Sequence, residues 1–445
     1  MPFPILPPRP FPLPARDEST RAGEDGQGLP AGEKPPERSR RVGVGPDVKA
    51  REIKLLHVTT VPETLFYLLR GQIQHVQRKG ILVEAISSPG PMLEEVAQRE
   101  QIKVYPVLMV RGISLFRDLA SLWKLWRLFR KLSPTIVHGS TPKAGLLTMI
   151  AGALARVPIR FYTIRGLHIT SRTGVLGRIL RLTEKISCFF AHQVICVSHS
   201  IRNIAVAEGI CPESKIKVLH HGSSNGVDAQ RFCRSNLSEA RSQEFRRQWN
   251  IPEEAQVLGF IGRLVRDKGI HELISAWNLL RPEFPKLHLL LVGPLEDHDP
   301  VDPCVLQQVR EDPRIHATGM VKDVLPAYGI CQVVVLPSYR EGFPNVPLEA
   351  AAMELPVIAT RVPGCMDAVV DGVTGILVPP RDAPALTEAI RTLLRDPELR
   401  KRMGQAGRER ILRDFRPEDI WQALYQEYLD SLEKKGIPAP LPEST

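Results

Sequence analysis

The stretch S-Y-R-E-G-F-P-N-V-P-L-E-A-A-A-M-E-L-P, residues 338–356, decides the fold. It follows the apolar run V-V-V-L at 333–336 and precedes V-I-A at 357–359; both read as buried strands. Glu341 falls in a turn bearing glycine and proline, and Glu349 falls in a short helix. Asn345 fits the N-cap of that helix, and Pro347 is tolerated in its first turn. A strand–turn–helix unit aims a helix N-terminus at whatever lies above the sheet. Its free N–H groups and partial positive charge favour a phosphate. Two carboxylates beside a phosphate site make sense if they face neutral hydroxyls, those of a ribose and a sugar. The pattern points to a nucleotide-sugar site.

Outward from this unit, strands and helices alternate. Strands are predicted at 53–58, 83–87, 136–138, 160–164 and 193–197, with helices over 65–79, 92–100 and 143–155 between them. A second series begins after N-G-V-D at 225–228, with strands at 257–261 and 288–292 and a helix over 270–280. That rhythm implies parallel sheets covered by helices on both faces. The expected fold class is α/β, with two doubly wound, Rossmann-like domains facing across a cleft. The cleft is the default active site, since ligands of such sheets lie beyond the carboxyl ends of the strands. Residues 1–47, rich in Pro, Gly, Arg and Glu, read as a disordered tail. The first domain is expected over 48–226 and the second over 227–416. A last helix, 417–435, crosses back to the first domain.

The 59 basic and 49 acidic residues give a formal charge of +10, which suits a phosphorylated substrate, an anionic membrane surface or nucleic acid. Nucleic acid is disfavoured because the basic residues are dispersed and aromatics make up only 6% of the chain. The seven cysteines, an odd number with no C-x-x-C, fit a reduced, cytoplasmic setting. No long apolar run marks a membrane span or a signal peptide. A dinucleotide-binding protein would need G-x-G-x-x-G after a first strand, and neither sheet series carries it.

The second domain opens with G-F-I-G-R-L-V-R-D-K-G at 259–269. Gly262 ends a strand and lets backbone approach a ligand closely. Arg263 can grip phosphate oxygens bidentately, and Lys268 adds a point charge five residues on. Together they can neutralise a departing diphosphate, work that a metal ion does elsewhere.

At this point the chain resembles the retaining glycosyltransferases of family 4, whose fold is the two-Rossmann GT-B type. The matching pieces are G-R-L-V-R-D-K-G at 262–269, L-L-V-G at 290–293, T-G at 318–319 and E-G-F-P-N-V-P-L-E at 341–349. P-V-I-A-T at 356–360 and D-G-V-T-G-I-L-V at 371–378 complete the series. The first domain is similar to the branch that builds bacterial capsule, exopolysaccharide and O-antigen repeats. It shares H-V-T-T-V-P at 57–62, I-S-S-P-G at 86–90, V-H-G-S-T-P-K-A-G at 137–145, I-C-V-S at 195–198 and G-S-S-N-G-V-D at 222–228.

The resemblance implies that Glu349 takes the ribose hydroxyls and Glu341 those of the donor sugar. Arg263 and Lys268 take the diphosphate. Gly262, Gly342, Phe343, Asn345 and Val346 line the donor site, and Thr318 and Gly319 hold the base. His138 and Thr60 fall on the acceptor side. Relatives commonly carry a histidine near the anomeric centre after the strand at 161–164. Here Arg165 follows directly and His168 comes three residues later, so either can take that place.

The implied reaction moves a sugar from a nucleoside diphosphate sugar, a UDP-sugar by preference, to a polyprenyl-diphosphate-linked saccharide. It retains anomeric configuration through front-face attack, with no metal or cofactor. A glycosyltransferase with a soluble small-molecule acceptor is the alternative, and a non-catalytic nucleotide- or nucleic-acid-binding protein a remote one.

Other features weigh less. Asp297-His298-Asp299 looks like a metal-holding D-x-D but reads as a solvated loop. The pair His220-His221 lacks partners at ligand spacing. The stretch L-F-R-D-L-A-S-L-W-K-L-W-R-L-F-R-K-L at 115–132 reads as an amphipathic helix with a basic face. It suits either a sheet-covering role or peripheral contact with an anionic membrane at its inner face. Residues 174–190, with Arg178, Arg181 and Lys185, extend that basic rim.

Overall fold

The computed structural model describes residues 52–110, 112, 114–167, 174–297 and 299–441. The segment 1–47 lies outside them, as do His168 and His298. The first seven strands are β1 (Ile53–Thr59), β2 (Ile81–Ser87), β3 (Val104–Pro106), β4 (Ile136–Ser140), β5 (Ile159–Ile164), β6 (Gln193–Cys196) and β7 (Ile216–Val218). They form one sheet in the order β3-β2-β1-β4-β5-β6-β7. The next six are β8 (Gln256–Ile261), β9 (Leu287–Val292), β10 (Ile315–Gly319), β11 (Val333–Leu336), β12 (Val357–Thr360) and β13 (Gly375–Val378). They form a second sheet, β10-β9-β8-β11-β12-β13. Every pairing in both sheets is parallel.

The doubly wound class is therefore as expected, and its cause is visible in the strands. β9 and β11 are buried along their whole length, because helices cover both faces of a parallel sheet. In each sheet the strand order reverses once, between β1 and β4 and between β8 and β11. Ligands of open α/β sheets bind outside the carboxyl ends at that crevice. The 262–269 loop leaves β8 and the 338–349 segment leaves β11. Both therefore stand at the second switch point.

Two local expectations change. The helix over 65–79 is two helices, Pro62–Leu68 and Gln72–Arg78. Gly71 breaks them with φ 76°, and the Trp421 side chain fills the space where a Cβ would stand, only 2.6 Å away. Asn345 is the first residue of the helix Asn345–Ala352 rather than its N-cap; Pro344 holds the cap position.

The helix Pro417–Glu433 lays Leu424, Tyr425, Tyr428 and Leu432 into the core beneath the first sheet, beside Leu55, Ile136 and Phe161. The helix Leu115–Leu132 is as predicted and splits its apolar face: Leu125 and Phe129 are buried, whereas Leu115, Phe116, Leu119 and Trp123 are exposed. All seven cysteines are free. Among the described residues, no helix is long and apolar enough to cross a membrane.

Candidate active site

The site begins where β8 runs out. Gly262 hands over to Arg263, whose Nη1 donates to Glu296 Oε2 at 2.9 Å. The loops after β8 and β9 touch directly: a Cβ on Gly293 would stand 1.9 Å from the Gly262 carbonyl oxygen. Leu264 N donates to the Pro294 carbonyl at 2.8 Å. Asp299 braces the same loop, accepting from Asp267 N at 2.8 Å through Oδ2 and from Arg266 N at 2.9 Å through its carbonyl. Asp297 and Asp299 are both exposed, in keeping with the solvated-loop reading. Asp299 nevertheless holds the cationic loop in shape, a pairing between segments some thirty residues apart in sequence that charge patterning alone does not reveal.

The loop after β11 joins this knot. Tyr339 N donates to the Asp267 carbonyl at 2.8 Å, and Arg340 pairs with Asp267 Oδ2 at 2.9 Å. Gly269, with φ 71°, leaves its missing Cβ 2.0 Å from the Pro337 carbonyl oxygen, so only glycine fits there. Lys268 Nζ then meets Glu341 Oε1 in an ion pair that is mostly shielded from solvent. The sequence places these two residues in separate motifs; the structure makes them one unit.

Around them lie polar atoms with nothing to bond. Ser338 Oγ, Asn345 Oδ1 and Asp267 Oδ1 are buried without a partner. A buried unpartnered polar atom costs about 1–3 kcal/mol. Asn345 opens the helix Asn345–Ala352, while Ser338 and Asp267 lie on the loops after β11 and β8 that the bond from Tyr339 N to the Asp267 carbonyl joins. Val346 is half-buried beside them, and Phe343 is buried against Phe415 with ring centroids 5.6 Å apart. Glu349 Oε2 accepts from the Tyr328 hydroxyl at 2.7 Å. Burial pushes the Glu349 carboxyl above its usual range, opposed by the Tyr328 hydrogen bond and by the charge of Arg231. Thr318 and Gly319 end β10, where the Gly319 carbonyl accepts from Gly293 N at 2.9 Å.

The first sheet contributes Arg165, directly after β5. Its Nε and Nη1 are buried without partners, and burial lowers its pKa to about 10. Its carbonyl oxygen lies 1.7 Å from where a Cβ on Gly342 would stand. The turn that carries Glu341 therefore presses on Arg165, and any side chain at 342 would force the halves apart. Of the two candidates for the histidine's place, Arg165 lies against the Glu341 turn, and His168 lies outside the described residues.

The acceptor-side expectations fare differently. His138 does not face the cleft. Its Nδ1 is 2.6 Å from the Tyr428 hydroxyl and its Nε2 2.6 Å from Thr163 Oγ1, beneath the helix Pro417–Glu433. Burial, then the neighbouring His57 and Arg165, holds its pKa well below the ordinary value. It is a structural histidine. Thr60 reaches the carboxyl end of β1, but its hydroxyl is engaged by Thr141 Oγ1 at 2.7 Å and by Ala144 N at 3.2 Å. His57, which the sequence reading passed over, is buried with both ring nitrogens unpartnered. Its pKa falls to about 3, from burial first and the charge of Arg165 second.

Two parallel Rossmann-like sheets, with a cationic loop and a paired glutamate at the switch point of the second, define a glycosyltransferase of the GT-B fold. The sequence pattern described as "Glycosyltransferase Family 4" matches residues 68–231, and that described as "Glycosyl transferases group 1" matches 241–410. The chain is 37% identical over 375 residues to the capsular polysaccharide biosynthesis glycosyltransferase CapM of Staphylococcus aureus, covering 84% of this chain and 96% of that one. It is 26% identical over 298 residues, 65% of this chain and 75% of the other, to a Campylobacter jejuni enzyme. That enzyme is named N,N'-diacetylbacillosaminyl-diphospho-undecaprenol alpha-1,3-N-acetylgalactosaminyltransferase. Among solved structures, Anabaena HepE in complex with UDP-glucose superposes with a TM-score of 0.72 at 22% identity, over 85% of this chain and all of that one. The chain belongs to glycosyltransferase family 4.

Proposed function

We propose that the enzyme transfers a sugar, with retention, from a UDP-sugar to a hydroxyl of a polyprenyl-diphosphate-linked saccharide during surface polysaccharide synthesis. The observation that carries this reading is the Lys268–Glu341 pair, set beside unpartnered Ser338 and Asn345 oxygens at a helix N-terminus. On donor binding, the Lys268 charge turns to the diphosphate and Glu341 is released to the sugar hydroxyls. Arg263 and the N-terminus of the helix Asn345–Ala352 share the leaving charge. Glu349, held by Tyr328, receives the ribose hydroxyls. Thr318 and Gly319 hold the base. Arg165 faces the sugar from the first sheet and stabilises developing negative charge on the departing phosphate, whose oxygen takes the acceptor proton in a front-face attack.

The relatives support the biology. CapM carries capsular polysaccharide in its name, the C. jejuni enzyme an undecaprenol diphosphate, and HepE was solved with UDP-glucose. A lipid-linked acceptor also suits the exposed end of the helix Leu115–Leu132. There Phe116 is 86% and Trp123 52% exposed, and Arg127 stacks 4.7 Å from the Trp123 ring. The helix Gly174–Phe190 adds exposed Val175, Ile179 and Leu182. Apolar side chains among cations suit an anionic interface.

The experiment is a screen of nucleotide sugars by UDP release, with and without a membrane-lipid extract. Release with one UDP-sugar that depends on the lipid fraction is expected. Release driven by a water-soluble acceptor alone overturns the acceptor assignment, and use of a non-uridine donor overturns the donor assignment. Vesicles containing anionic lipid should sediment the enzyme, whereas neutral vesicles should leave it in the supernatant.

Glu349→Gln tests the ribose contact. The amide still accepts from Tyr328, so the fold is kept, but the charge-assisted bonds to ribose are lost. Such bonds are worth about 1.5–3 kcal/mol, so the donor KM should rise roughly 10- to 100-fold. Unchanged donor kinetics would remove Glu349 from the donor site.

A further inference from the structure

We infer that Asp367 is a positioning residue: its carboxylate latches the second sheet's site loop onto the first half of the molecule and so sets the closed distance between Glu341 and Arg165. The inference rests on the reading of the 262–269 and 338–349 segments as the donor site.

The contact is built from both sides. After β6, Ser198 caps the helix His199–Ala207 by accepting from Ile201 N. The next two helix N–H groups, His199 N and Ser200 N, run across to Asp367 Oδ1 at 2.9 and 3.2 Å. Asp367 belongs to the second half, on the short helix Cys365–Ala368 after β12. Its other oxygen, Oδ2, accepts from the Ser200 hydroxyl and from Gly364 N, the latter at 3.3 Å. Gly364 N also donates to Ser200 Oγ at 2.9 Å. One carboxylate thus satisfies two free helix donors, a hydroxyl and a loop amide, partners that suit a negative charge at a helix N-terminus.

From behind, Arg410 donates to the Asp367 and Ala368 carbonyls at 2.7 and 2.6 Å. The latch residue is therefore fixed to the second half and cannot yield when the halves separate.

The latch is coupled to the chemistry through two glycines. A Cβ on Gly364 would stand 2.4 Å from the Gly342 carbonyl oxygen, and one on Gly342 would stand 1.7 Å from the Arg165 carbonyl oxygen. Backbone thus lies on backbone from the Asp367 loop, through the Glu341 turn, to the end of β5. Asp367 takes three of the four hydrogen bonds described between that loop and the helix His199–Ala207; without it, the bond from Gly364 N to Ser200 Oγ is what remains of them. Asp367 touches neither donor nor acceptor in this arrangement. Its effect passes through where Glu341 stands when the cleft is shut, and a shut cleft is what excludes water from a bound sugar donor.

The test compares Asp367→Ala, Asp367→Asn and Ser200→Ala in the full-length enzyme. For Asp367→Ala we expect kcat for transfer to fall on the order of tenfold to a hundredfold, the loss typical of a displaced catalytic geometry. The donor KM and UDP affinity should stay near wild type, and hydrolysis should take a larger share of the UDP released. Asp367→Asn keeps an acceptor for the two helix N–H groups and should recover part of the rate. Ser200→Ala removes the hydroxyl but leaves the two helix N–H donors, so it should show the same pattern in weaker form, less than additively with Asp367→Ala. A wild-type kcat in Asp367→Ala overturns the inference. So does a fall in unfolding midpoint large enough to account for the lost activity, or a rise in donor KM with kcat unchanged. If wild-type enzyme itself fails to bind UDP, the donor-site reading falls instead, which the wild-type arm reports independently of every variant.

Discussion

Replacing Arg263 and Lys268 together by alanine is expected to abolish detectable transfer. In the proposed reaction the barrier lies in parting sugar from diphosphate through an oxocarbenium-like state, and negative charge develops on the phosphate oxygens. Removing one preorganised donor of this kind typically costs 10²–10³ in rate, so two independent ones cost on the order of 10⁴–10⁶. The two cations are not equal. Arg263 is well exposed, and its bond to Glu296 contributes little to folding. Lys268 and Glu341 are both shielded, so Lys268→Ala also leaves the Glu341 carboxylate without its partner. A companion variant, Lys268→Met with Glu341→Gln, removes both charges at once and separates stability from catalysis. Turnover is read by UDP release and folding by thermal unfolding of the same preparations. Double-mutant activity within tenfold of wild type would sink the diphosphate role.

The second large effect is on stability in acid. His57 is buried with no hydrogen-bond partner for either ring nitrogen, and its pKa falls from 6.5 to about 3. Above pH 6.5 the ring is neutral in both folded and unfolded chains and adds no pH dependence. As pH falls below 6.5 the unfolded chain takes up a proton that the native state refuses. Stability is therefore lost as pH falls from 6.5 towards 3, at about 1.4 kcal/mol per pH unit. Other groups tilt the total profile. Burial raises the Glu184 carboxyl to about 7, which acts in the opposite sense between pH 7 and 4.5.

The clean measurement is therefore a difference. His57→Leu should gain on wild type by about 1.4 kcal/mol for each pH unit below 6.5, or about 3 kcal/mol at pH 4.5. Denaturant midpoints of both proteins across pH 7 to 4.5 give the slope. Parallel curves would show that His57 is charged or solvated in the native state.

Much of this was legible in the chain. The apolar runs that became β8, β9, β11 and β12 are interior strands or border them, buried on both faces, and so read as continuous hydrophobic segments. The strands that escaped notice, β3, β7, β10 and β13, are the edges of the two sheets. V-Y-P, I-K-V and I-H-A-T-G are short or partly exposed, and β-propensity is weakest where only one neighbour pairs. The break at Gly71 was equally hidden, because a glycine within a helical pattern acquires its meaning only when Trp421 packs against it.

The donor motifs are local: a strand, a turn and a helix N-terminus within twenty residues. Glycines at 262, 269 and 342 and charged groups at 263, 268, 341 and 349 therefore suggest the proposed donor site before any folding is considered. Which way a side chain points from a strand covered on both faces is not local. His138 turned to Tyr428, 290 residues away, rather than to the cleft. Asp299 turned to the Asp267 backbone, and Asp367 to Ser200, 167 positions away. The sequence by itself determined the two parallel sheets and the glycosyltransferase class, because periodicity and turn chemistry act over a few residues. Only the tertiary structure decided the pairing of Lys268 with Glu341, the burial of His57 and His138, and the latch between the halves. Those depend on which faces meet, and a strand apolar on both faces carries no mark of which partner it will find.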